Sequence, residues 1–148
     1  MDPVQRLLIE RECERLLLRV LRLADLGSGD DVAELFAPDG TLVIPLGRAQ
    51  GQEQLRSVLL LQQAMPERTE RRVLSNLLLT VRDEARAEGT AYVTVYSHDG
   101  AAVAGEMPLV GPQALGLCSV RFVRTAAGWR LADCRIEPTF AREEWGGT

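Results

Sequence analysis

Leu35-Phe36-Ala37-Pro38-Asp39-Gly40-Thr41-Leu42-Val43-Ile44 is the stretch on which the fold turns. Pro38-Asp39-Gly40 is a turn signal, because proline presets its φ, aspartate bonds its own backbone and glycine tolerates positive φ. Thr41-Leu42-Val43-Ile44 is rich in β-branched, apolar residues and reads as a short strand. Just upstream, Asp30 can cap the free amides of a helix running to Phe36. The segment therefore marks the passage from helices to sheet.

Upstream lies a longer helix. Between Val4 and Ala24 the apolar residues Val4, Leu7, Leu8, Leu16, Leu17, Val20, Leu21 and Ala24 recur at helical spacing. Pro3 suits its first turn and Gly27 its stop, while Glu10, Arg11, Glu14 and Arg15 decorate a solvated face. Downstream, Gly51 to Gln63 reads as a third helix with Leu55, Val58, Leu59 and Gln62 along one side, ended by Pro66. Four strand-like segments follow, at Arg71–Arg82, Ala85–Ser97, Ala114–Thr125 and Gly128–Phe140. Breaks at Asp83-Glu84 and Ala126-Ala127 predict hairpins. The connection from Asp99 to Pro112 is longer and rich in Gly, Ala and Pro, either a functional loop or a plain surface crossing. Residues 1–148 are expected to form one domain, in an α+β arrangement of three helices followed by a curved, mostly antiparallel sheet.

Composition narrows the function classes. A formal charge of −4 lacks the positive field that phosphate binding needs, and two Trp, two Tyr and three Phe are too scattered for base stacking, so no nucleic-acid partner is expected. All 17 basic residues are arginine, which excludes lysine Schiff bases and phosphate-loop lysines. Cys13, Cys118 and Cys134 are odd in number and widely spaced, and no CxxC or HExxH run occurs. They read as buried thiols in a reducing compartment rather than as a zinc site. With no glycine-rich dinucleotide fingerprint either, neither a cofactor nor a metal is expected. No apolar run spans a membrane, and a cytoplasmic location is the default expectation.

The order of elements resembles the SnoaL-like branch of the nuclear transport factor 2-like superfamily, over roughly Gln5 to Phe140. The resemblance is carried by Ala24-Asp25-Leu26-Gly27-Ser28-Gly29-Asp30, by Leu35 to Gly40, by Gly51, by Arg72-Val73-Leu74-Ser75-Asn76 and by Gly128-Trp129-Arg130-Leu131. It implies a cone-shaped α+β barrel, with a strongly bent sheet wrapped around a helix and enclosing a deep pocket. Members include dehydratases, dehydrochlorinases, polyketide cyclases, isomerases, epoxide hydrolases and noncatalytic subunits, so the fold names no single reaction.

In the dehydratase and dehydrochlorinase members, the resemblance implies, an aspartate at the position of Asp25 orients a proton-removing histidine four residues before Asn76. Arg72 stands there instead. A guanidinium, whose pKa exceeds about 12, is no general base. Two readings stay open for the pair. In one, Asp25 is the acid/base and Arg72 polarises a carbonyl or binds a carboxylate; in the other, they form a structural ion pair.

Strand alternation would put Arg72, Leu74, Asn76 and Leu78 on one face, with Asn76 adding a hydrogen bond to a ligand. A β-bulge would bring Arg71 there instead. Tyr92 and Tyr96 are candidate hydrogen-bond donors or core rings with wet tips. His98, the only histidine, is a substitute base or a solvated turn residue. Trp129 reads as a core or interface anchor. Asp133, Arg135 and Glu137 read as a solvated or subunit-facing row, with Asp133 as a possible inward acid. Met65 and Met107 read as apolar fillers.

The leading expectation is a protein that binds a small, largely apolar metabolite bearing one polar group, with cofactor-free lyase, isomerase or cyclase chemistry if it is an enzyme. The alternative is a noncatalytic binding or assembly subunit, like the small subunit of ring-hydroxylating dioxygenases. A homodimer through the sheet is expected in either case, with a trimer as the other option.

Overall fold

The computed structural model describes residues 1–63, 68–100 and 105–143. Helix α1 (Pro3–Leu26) begins at Asp2, whose side chain accepts from the Val4 amide, and closes with the Gly27 amide donating to the Leu23 carbonyl at 2.7 Å. Helix α2 (Gly29–Ala33), strand β1 (Phe36–Ile44), strand β2 (Gly47–Gln50) and helix α3 (Gln52–Gln63) follow. Four long strands complete the chain: β3 (Arg68–Val81), β4 (Arg86–Asp99), β5 (Ala114–Thr125) and β6 (Gly128–Ala141). They form one six-stranded sheet in the order β2-β1-β6-β5-β4-β3, antiparallel throughout except where β1 runs parallel to β6. The α+β class is as expected, but the sheet is open, with β2 and β3 at its edges, rather than a closed barrel.

The helices pack on one face of this curved sheet. The core comprises Ile9, Cys13, Leu16, Leu17, Val20 and Leu21 of α1, Leu55 and Leu59 of α3, and the inward residues of the sheet. Val93, Val95, Cys118, Val120, Phe122 and Leu131 are among the latter. Leu17 and Leu131 are completely buried, and each such side chain stabilises the fold by about 1.5–3 kcal/mol relative to exposure. Trp129 joins this core as expected, its indole Nε1 buried without a partner among the described residues. The three thiols are buried and free. Burial pushes the Cys13 thiol up to about 12, with Glu12 adding to it, so this sulfur packs rather than reacts.

Several expectations need correction. Val4, Leu7 and Leu8 are exposed; burial along α1 begins only at Ile9 and then follows Cys13, Leu16, Leu17, Val20 and Leu21. Helix α2 is capped by Ser28, whose Oγ accepts from the Asp31 amide at 3.2 Å, and it stops at Ala33. Asp30 lies inside it. Phe36 opens β1, and Pro38-Asp39-Gly40 forms an irregular passage within that strand, where the β1–β6 register shifts between Phe36 and Thr41. Strand β2 was not expected. Gly51 immediately precedes α3 at φ +82°, a conformation suited to glycine, and its amide donates to the Gly40 carbonyl at 2.9 Å. The two hairpins fall where predicted. Met65 and Pro66 lie outside the described residues.

The most consequential irregularity is in β3. Ser75 pairs with Tyr92 and Leu78 with Thr90, so Asn76 and Leu77 together oppose Ala91. Asn76 takes φ +53°, the only positive φ among the described non-glycine residues. This bulge swaps the faces of the strand. Arg72 and Leu74 point inward before it, Leu77 and Leu79 pack against the core after it, and Leu78 is turned outward. The shared face expected for Arg72, Leu74, Asn76 and Leu78 therefore ends at Leu74. Because left-handed backbone costs a non-glycine residue about 1–3 kcal/mol, Asn76→Gly should be neutral or stabilising and Asn76→Val destabilising by about that amount. Urea unfolding of the two variants checks this; equal midpoints would remove the bulge's claim on that residue type.

Candidate functional site

Asp25 occupies the last turn of α1, where the helix carbonyls carry partial negative charge and a carboxylate is disfavoured without a cation. Strand β3 supplies that cation. Arg72 Nη1 donates to Asp25 Oδ1 at 2.5 Å and the Arg72 backbone amide donates to Asp25 Oδ2 at 3.0 Å. Arg72 Nη2 donates to Glu70 Oε2 at 3.1 Å. The side chains are 7 % exposed for Asp25, 10 % for Arg72 and 16 % for Glu70, so they belong with buried ion pairs rather than weak surface ones. Arg71 is exposed, so Arg72 is the one that faces inward.

The charges continue along the strand. Arg68 lies 3.9 Å from Glu70 Oε1 and grips Asp99 at the end of β4 through Nε to Oδ1 at 2.7 Å and Nη2 to Oδ2 at 3.2 Å. The hydrogen bond from Arg68 holds the Asp99 carboxyl below its usual range. Asp25, Arg72, Glu70, Arg68 and Asp99 thus alternate in sign from the end of α1 to the start of the long connection. The far end of that connection is pinned separately. Arg142 donates to the carbonyls of Pro112 (3.0 Å) and Val110 (2.6 Å), while the Gln113 amide donates to the Val95 carbonyl at 2.8 Å.

Glu70 and Arg68 were not singled out from the sequence, yet the signal was there. The strand expected from Arg71 in fact starts at Arg68, and alternation carried back from Arg72 through that longer strand puts Glu70 and Arg68 on the same face.

The other candidates are placed elsewhere. Asn76 is exposed in the bulge. Tyr92, Tyr96 and His98 share the opposite face of β4 from the inward Ala91, Val93 and Val95, and hence lie across the sheet from Asp25 and Arg72. The parity of β4 thus sets these three candidates apart from the Asp25–Arg72 cluster. Asp133 accepts a hydrogen bond from Thr41 Oγ1 across the β1–β6 pair, and Arg135 pairs with Glu137 on the outer row at 3.4 Å. Met107 is exposed. Among the described residues no set of three His, Cys, Asp or Glu converges to hold a metal ion.

Chemically, the cluster offers donors. A guanidinium has five N–H groups, and Arg72 directs one at Asp25 and one at Glu70. The remainder can meet a ligand oxygen, while each Asp25 oxygen keeps a second lone-pair site. Arg72 can therefore stabilise an oxyanion, and Asp25 can accept a proton.

The SnoaL-like domain model matches residues 5–135. No curated protein matches the chain. Among solved structures, a protein provisionally named scytalone dehydratase from Novosphingobium aromaticivorans superposes with a TM-score of 0.80 at 16 % identity, covering 97 % of this chain and 93 % of that one. A cystatin-like-fold protein of unknown function from Nostoc punctiforme superposes at 0.73 with 21 % identity, covering 87 % and 90 %. ActVI-ORFA from Streptomyces coelicolor superposes at 0.72 with 16 % identity, covering 88 % and 97 %. These likenesses are of fold.

The geometry predicts an order of stability effects. Removing one partner of a buried pair costs about 3–5 kcal/mol. Arg72→Met leaves Asp25 only the backbone amide and Glu70 only the more distant Arg68, whereas Asp25→Asn leaves Arg72 its contact with Glu70, so the arginine variant should be the less stable. Urea unfolding of both, with the double variant completing a cycle, should give a coupling energy of about 0.5–3 kcal/mol. An Arg72→Met penalty no larger than that of Asp25→Asn would mean that the Arg72–Glu70 contact adds nothing beyond what Arg68 supplies.

Proposed function

We propose that this chain, which belongs to the SnoaL-like domain family, binds a small, largely apolar molecule on the concave side of its sheet. Arg72 meets that molecule's single carbonyl, carboxylate or hydroxyl group. The observation that carries the reading is a largely buried guanidinium, fixed between two carboxylates, with N–H donors still uncommitted among the described residues on an otherwise apolar face. A pre-positioned cation of this kind needs no reorganisation to hold an oxyanion. For a ligand with an acidic C–H beside that oxygen, we assign Asp25 as the acid/base and Arg72 as the stabiliser of the enolate. This is cofactor-free lyase, isomerase or cyclase chemistry.

The test uses 1-tetralone, a fused-ring ketone with exchangeable protons next to its carbonyl. Its addition should shift the resonances of Leu74, Val93 and Val95. Loss of a hydrogen bond to a charged donor is worth about 1.5–3 kcal/mol, so Arg72→Met should weaken binding by roughly 10- to 100-fold. Arg72→Lys, which keeps a cation beside Asp25, is the folding control. Deuterium uptake next to the carbonyl should be faster with the wild type than with Asp25→Asn. Equal uptake would leave a binding protein without catalysis, and silence of the concave-face resonances would sink the reading altogether.

A second observation favours self-association. Cross-strand pairing lines up Val73, Thr94, Leu115 and Phe140 on the outer face, beside Ser75, Tyr92, Leu117 and Glu137 in the next row. Phe140 is 70 % exposed, and Val73, Tyr92 and Leu117 are also open to solvent. A contiguous apolar patch of this kind marks an interaction surface, and an isologous dimer buries it twice over. We propose a homodimer through this face. Light scattering should give twice the chain mass, falling to one chain mass in Phe140→Glu/Leu117→Arg; a wild-type monomer at high micromolar concentration rules the dimer out.

A further inference from the structure

The outer face of the sheet carries a second concavity, at the opposite end of the strands from Asp25. It arises from two features of the chain. Strand β6 is bulged where Arg121 pairs with Asp133 and Phe122 with Leu131, which leaves Ala132 without a partner on β5. A bulge bends its strand and increases the local twist, and alanine fills little of the space that opens. Beside it, the β3–β4 hairpin turns through Asp83 and Glu84, bringing Arg82 and Arg86 to the rim. The result is a groove of about 420 Å³, within the range of small-molecule sites. Val123 and Ala132 are among its apolar residues, and Arg82, Arg86, Glu88 and Arg121 are its charged ones.

The charges in the groove are unequally matched. Arg82 is engaged by Glu88 in an ion pair, and Arg86 grips Asp83 through Nε at 2.9 Å and Nη2 at 2.6 Å. Arg121 is different. Its cross-strand neighbours are Glu88 and Asp133, but Glu88 Oε1 is taken by Arg82 and Asp133 Oδ1 by Thr41. Arg121 makes no hydrogen bond or ion pair among the described residues. Among the described residues, one guanidinium thus keeps its planar fork uncommitted beside a groove lined in part by apolar residues.

We propose that this groove binds a small planar carboxylate, an aromatic acid whose carboxylate meets Arg121 and whose ring lies on Val123 and Ala132. A guanidinium fork matches a carboxylate in two parallel hydrogen bonds, which fixes orientation as well as adding affinity. The site is distinct from the Arg72 cluster. Arg121 alternates with the buried Val120 and Phe122 and so projects from the convex side. It also lies four residues along β5 from Leu117 and the apolar patch.

The test titrates 2-naphthoate into the isotope-labelled full chain and follows backbone resonances. Saturable shifts are expected at Arg121, Val123 and Ala132, with Leu74 and Val95 on the concave side unmoved. Arg121→Gln should weaken binding by about tenfold or more, the loss expected for a charge-assisted pair. The neutral isostere 2-naphthamide should bind as poorly to the wild type as naphthoate binds to the variant. Shifts confined to the concave side would overturn the proposal, as would Arg121→Gln binding naphthoate unchanged. Naphthamide binding as tightly as naphthoate would overturn it too, and that comparison needs no variant to fold.

Discussion

The bond between the end of α1 and the start of β3 is the constraint on which the rest of the arrangement depends. A carboxylate in the last turn of a helix is in the wrong place for the helix dipole, and Asp25 is tolerable there because Arg72 answers it twice, with a side-chain N–H and a backbone amide. The two contacts fix different things. The amide ties the helix end to the strand backbone at one register position, and the guanidinium orients the carboxylate. Together they hold the 24-residue helix against the concave face, so that Cys13, Leu16, Leu17, Val20 and Leu21 join one core with the inward residues of the sheet. One polar contact thereby sets the position of much of the apolar packing.

What was legible in the chain divides along the same lines. Long β5 and β6 and both hairpins follow from composition and turn chemistry, which act over a few residues and need no tertiary help. The ends of α2 do not. Ser28 and Asp30 are both good caps, and the choice between them depends on where the chain must enter β1, a matter of packing. The four residues of β2 form a strand only because β1 is there to pair with them. Most instructive is the bulge at Asn76 and Leu77. Alternation correctly turns Arg72 inward and then misplaces Leu78, because one inserted residue reverses every later side chain. An asparagine in an otherwise β-rich run was a weak hint of left-handed backbone. The Asp25–Arg72 contact was legible from the resemblance, and Glu70 only from parity with Arg72.

The two faces of the sheet have separate economies. Inside, apolar side chains predominate among the described residues, and the charged groups lie along β3 and at the end of α1. Outside, the face changes character along its length: apolar from Val73 to Phe140, charged from Arg82 to Arg121. The bulges decide where these regions lie. One returns β3 to the core after Arg72, and the other opens β6 beneath Arg121. Irregularities that a regular sheet would lack are thus what give this one its specific surfaces.

The same reasoning explains how an arginine can stand where the resemblance implies a histidine. Imidazole in its neutral form needs one orienting carboxylate and presents a basic nitrogen to the substrate. A guanidinium is a permanent cation and, once buried, a single carboxylate leaves most of its five donors unsatisfied. Glu70 supplies the second acceptor, and Arg68 with Asp99 neutralises Glu70 in turn. In this chain the cation at position 72 is accompanied by charges at positions 70 and 68, all on the same face of the same strand. The outcome is a cluster whose polar end presents a permanent cation held between two carboxylates, where an imidazole would present a basic nitrogen.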